Sequence, residues 1–72
     1  MMNKADVEAC IRLFQGLRDQ ALAVQSYCEK LGRDNNKYEG SAAHLDMAGR
    51  QAGCMVNDAE EAIRQLGYIA VE

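Results

Sequence analysis

Alternate steps of three and four residues from Val7 land on Cys10, Phe14, Leu17, Ala21, Val24, Cys28 and Leu31, and every one of these positions is apolar. A strand would alternate every second residue, so a stripe at this spacing sustained over that length predicts an amphipathic helix whose seam meets another helix. The surrounding composition agrees, since the chain has no proline or threonine and is rich in alanine, the residue that costs least in a helix. Asn3 is placed to cap the first turn, Asp6 suits its dipole, and Gly32 after Lys30 is placed to close the last turn. Helix one is expected over about residues 4–31.

Gly32-Arg33-Asp34-Asn35-Asn36 holds no apolar residue and reads as a turn. Beyond it, Asn36-Lys37-Tyr38-Glu39 offers a capping-box pattern, with Ser41 as a rival cap. A second three/four series then runs Leu45, Ala48, Ala52, Met55, Ala59, Ala62, Leu66 and Ile69. Helix two is expected over about 37–66, ending at Gly67, with 67–72 as a short tail that is either frayed or extended. A short connection makes two long helices antiparallel neighbours. The fold class expected is therefore all-α, a single-domain antiparallel two-helix hairpin. A turn centred between Asp34 and Asn35 would set Phe14 against Met55 and Leu17 against Ala52.

A chain of 72 residues is short of core, and below roughly 70–80 residues a single core seldom supplies more than about 3–5 kcal/mol. Disulfides, a metal or a second subunit usually make up the difference. Cys10, Cys28 and Cys54 are odd in number and His44 is the one histidine, so neither a disulfide framework nor a zinc pattern is present. The cysteines read as reduced, small apolar residues, and no metal or cofactor is expected. Oligomerisation remains. The chain also carries apolar residues off its two seams: Ile11, Leu13 and Leu22 on helix one, Gly49, Gly53, Val56 and Ile63 on helix two. Buried against a second copy, these would complete a homodimeric four-helix bundle, with the glycines allowing close approach.

The net charge of -3, with signs interspersed, argues against nucleic acid as a partner. The longest unbroken apolar run, Ala21 to Val24, is far shorter than a membrane span needs. Met1 to Asp6 holds no apolar core of secretory length, so residence in the cytoplasm is the expectation. Chemistry has no foothold: Asp58, Glu60 and Glu61 with Arg64 read as a solvated charged face, and no catalytic residue is assigned. The one cluster with ligand-binding character is the turn, where Lys30, Arg33 and Lys37 stand near Tyr27, Tyr38 and His44. Two functions follow. The first is a non-enzymatic interaction protein that blocks or bridges a protein partner, in the manner of a small accessory regulator or a phage-type inhibitor. The alternative is an oligomer that binds a small ligand or nucleotide at the turn or a subunit boundary.

Overall fold

A computed structural model describes residues 1–34 and 39–71, and for residues 39 and 41 the backbone alone. Two helices make up the chain, α1 (Lys4–Asp34) and α2 (Glu39–Leu66), packed side by side into a rod with extents of 56 × 13 × 10 Å. The start of α1 follows from Asn3, whose Oδ1 accepts a hydrogen bond from the Ala5 amide at 2.7 Å. The Asp6 and Val7 amides donate to the Asn3 carbonyl. At the other end Gly32 does not cap. It is helical, α1 continues to Asp34, and no described residue has a positive φ. The capping box expected at Asn36–Glu39, the Ser41 side chain and most of the turn lie outside the described residues.

Helix α2 stops at Leu66 as the sequence predicts, by a different device from a left-handed glycine. The Gly67 amide donates to the carbonyls of Ile63 and Arg64, both at 3.1 Å, and the Tyr68 and Ile69 amides close two further tight turns. A Cβ at Gly67 would sit 3.2 Å from the Arg64 carbonyl oxygen, so the missing side chain is what permits this tight turn. Beyond it the tail extends, and Val71 forms a parallel bridge with Met2 that ties the two chain ends together.

The contact between the helices is rotated from the one the seams predict. On α1, Val7 and Ala21 are buried and Cys10, Ile11, Phe14 and Cys28 are half-buried, but Leu17 and Val24 are 56% and 52% exposed. Arg18 and Gln25 occupy the half-buried positions next to them. On α2, Gly49, Ala52, Val56 and Ala59 are buried, Ile63 is half-buried, and Ala48 and Met55 face out. Each helix is thus turned by about half of the 100° step between successive residues. The two glycines lie in this contact. A Cβ on Gly49 would make ordinary contact with Cys28 Cβ at 3.5 Å, and one on Gly53 would press on Gln25 Nε2 at 3.0 Å. The Gln25 amide thus lies over Gly53, while the stem of half-buried Arg18 runs along the contact and its guanidinium reaches Asp19 at 3.5 Å.

These contacts also reset the register. Gly49 lies level with Cys28 and Gly53 with Gln25, about one heptad away from the expected pairing. Phe14 and Met55 consequently stand about eight residues, or about 12 Å of helix rise, apart in level rather than face to face. The buried apolar set, Val7, Ala21, Ala52, Val56 and Ala59, consists of small residues, and among the described residues no side chain is below 2% exposure. Two substitutions test this core by urea denaturation. Val56→Ala should cost about 2 kcal/mol, whereas Gly16→Ala, where an added Cβ meets nothing within 4 Å, should gain about 1 kcal/mol.

Candidate functional site: an apolar face and a charged face

The rotation makes the two long faces of the rod unlike each other. Residues of both predicted seams, which were expected to be covered by the opposite helix, open onto one face. There Phe14, Leu17, Ala21 and Val24 of α1 and Ala52, Met55 and Ala59 of α2 line a groove of about 510 Å³, with Gln20 and Asp58 as its polar members. Leu17, Val24 and Met55 are each more than half exposed. On α1 the stripe continues along the same line, through Leu13 and Tyr27, at 71% and 61% exposure. Contiguous exposed apolar surface of this kind is uncommon on monomeric soluble proteins.

The other face carries charge. Gln25, Glu29, Arg33, Asp46 and Arg50 rim a cleft of about 450 Å³ whose remaining lining is Cys28, Gly32, Ala42, Leu45 and Gly49. Its two guanidinium groups are matched by two carboxylates, and Arg50 Nε lies 3.1 Å from Asp46 Oδ2 one helical turn away. Further along α2, Arg64 pairs with Glu61, whose other oxygen accepts from Gln65 Nε2 at 3.0 Å. Asp58 and Glu60 are exposed. Such exposed pairs, one turn apart, contribute a few tenths of a kcal/mol each. Among the described residues no group of three or more His, Cys, Asp or Glu side chains converges as a metal site would require.

Of the residues singled out at the turn, the four that are described do not line one cleft. Arg33 lines the polar cleft, while Tyr27, Lys30 and His44 are exposed outside it, and Lys37 and Tyr38 lie outside the described residues. Arg33 and Tyr27 are six residues apart on one helix and so diverge by about 120° around its axis. Among the residues expected to meet a second copy, Gly49, Gly53 and Val56 instead pack within the hairpin, with Ile63 and Ile11 half-buried. Leu13 and Leu22 are exposed. What the sequence reasoning missed as an outward surface is the set Leu17, Val24 and Met55. The signal was present in the width of the apolar arc, which exceeds what one neighbouring helix can cover.

No protein-family model, no curated protein and no solved structure matches the chain. No helix among the described residues is long and apolar enough to cross a membrane. The exposed apolar face therefore has to be understood from its own chemistry. The thiols report on the arrangement directly: Cys54 is exposed while Cys10 and Cys28 are half-buried. In the native protein a thiol reagent should modify Cys54 quickly and the other two only slowly, reaching all three at one rate in denaturant. Equal native rates would contradict the packing.

Proposed function

We propose that this chain is a non-enzymatic helical interaction protein, working as half of a homodimeric four-helix bundle that blocks or bridges a macromolecular partner. The observation that carries this reading is the exposed groove around Leu17, Val24 and Met55, set against a buried core of small residues. Surface area supports it. The hairpin exposes 5425 Å² for 8.0 kDa, about 1,000 Å² more than a folded monomer of that mass is expected to expose. A stable interface removes about 800 Å² per partner, so one partner on the apolar face would bring the chain to an ordinary surface. Shape gives the same answer, because the Cα radius of gyration is 16.5 Å, against about 11 Å for a compact domain of this length.

In that assembly the apolar faces meet and the polar faces stay outside. The charged surfaces bearing Arg33, Arg50 and Arg64 with their carboxylate neighbours are then the ones offered to a partner. Action by occupancy needs no reactive group, and a dimer presents two copies of the same surface, which suits bridging. Multi-angle light scattering tests the reading. At micromolar concentration the chain should scatter at twice its 8.0 kDa mass, and Val24→Lys, which places a charge on the apolar face, should return it to the monomer mass. A folded wild-type monomer at 100-fold higher concentration would contradict the proposal.

A further inference from the structure

The apolar groove holds one ionisable group, Asp58, and its setting bears on how strongly two copies associate, an inference that rests on the dimer reading above. Among the described residues only Gln20 and Asp58 are polar members of the lining, and none of the lining residues is basic. Gly53 is level with Gln25, so in the antiparallel hairpin Asp58 comes level with Gln20 across the groove. The charges nearest to it in sequence and level are already engaged. On α2, Glu61 pairs with Arg64, and on α1 the Arg18 guanidinium lies 3.5 Å from Asp19.

The rows that flank the groove offer no cation either. Seven residues before and after Asp58 stand Gln51 and Gln65, and seven before and after Gln20 stand Leu13 and Tyr27, all exposed. In helical bundles such flanking rows are where Lys or Arg meets Asp or Glu of the neighbouring helix. Here the next titratable groups on these rows are His44 and Asp6, each two heptads or about 21 Å of helix rise away.

A twofold dimer is isologous, so each copy presents the same patch to the other. Whichever way the second copy lies, its groove lining therefore brings Asp58 apolar side chains, a glutamine or another Asp58, and no lysine or arginine. Aspartate has a single methylene and, unlike lysine or arginine, has no long stem on which to carry its charge out to water. A carboxylate partly stripped of water without a cation costs free energy that a neutral carboxylic acid does not. We infer that Asp58 is the residue that limits self-association of the apolar face, and that the dimer takes up protons there as it forms. The acid form is the one favoured in the dimer, so association strengthens as pH falls through the carboxylate range and weakens above it.

Sedimentation equilibrium of the whole chain measures the dimer Kd in wild type, Asp58→Asn and Glu60→Gln. The last removes an equal charge from the face that carries Arg64, outside the groove, and so accounts for the change in net charge. At pH 7 Asp58→Asn should lower Kd by about tenfold or more, because the cost is removed from both copies, while Glu60→Gln should change it by less than about twofold. Going from pH 7 to pH 4.5 should tighten wild type and Glu60→Gln by about tenfold, and Asp58→Asn by much less. A wild-type dimer whose Kd is unchanged or raised by Asp58→Asn overturns this inference and leaves the dimer standing. Wild type and Asp58→Asn that both remain folded monomers overturn the dimer reading and this inference together.

Discussion

Two helices side by side touch along a line, and the apolar arc of each helix here is wider than that line. The rest of this structure follows from that mismatch. A strict a/d stripe can be covered by a single neighbour, as in a two-stranded coiled coil, but the apolar arc here is broader, and its remainder can be covered only by helices approaching from a second direction, as they do in a bundle. With one neighbour each, α1 and α2 rotate so that one edge of each stripe is buried and the other is left open on the same side. The buried edge is made of small residues, Val7 and Ala21 on α1 and Gly49, Ala52, Val56 and Ala59 on α2, which lets the helices approach closely. The open edge holds the large ones, Leu17, Val24 and Met55.

The same mismatch separates the two faces by chemistry. Apolar side chains accumulate on the groove side, and Arg33, Arg50, Asp46 and Glu29 accumulate on the other. Exposed ion pairs such as Arg50 with Asp46 contribute little to stability but keep that face wetted. Hydrophobic burial within one hairpin is small, and in the proposed dimer stability and association would draw on the same apolar surface, which would link folding to assembly.

Much of the fold was legible in the sequence. Asn3 marked the start of α1 and its side chain does cap the first turn, and Leu66 closed α2; of the two seams, Val7, Ala21, Ala52 and Ala59 are buried while Leu17, Val24, Ala48 and Met55 face out. The direction in which each stripe points was not legible, because three/four spacing defines a stripe without fixing the angle from which the neighbour comes. Gly49 and Gly53 show the ambiguity best. Small residues permit close approach by any helix, and the structure uses that space for α1 rather than for a second hairpin. At the turn, Tyr27 and Arg33 are near in sequence but diverge around the helix, which proximity in sequence alone does not convey. Gly32, a cap by sequence, was overridden because the helix continues to Asp34, and the helical backbone there has no need of a left-handed residue.

The central claim is that the groove between α1 and α2 is covered by another copy of the chain, so that folding and association are one equilibrium. Thermal unfolding followed by circular dichroism over a 100-fold range of protein concentration measures this directly. The account predicts a Tm that rises with concentration, together with a single transition at each concentration. A helical transition whose Tm is independent of concentration would mean that the hairpin is stable by itself and would contradict the claim.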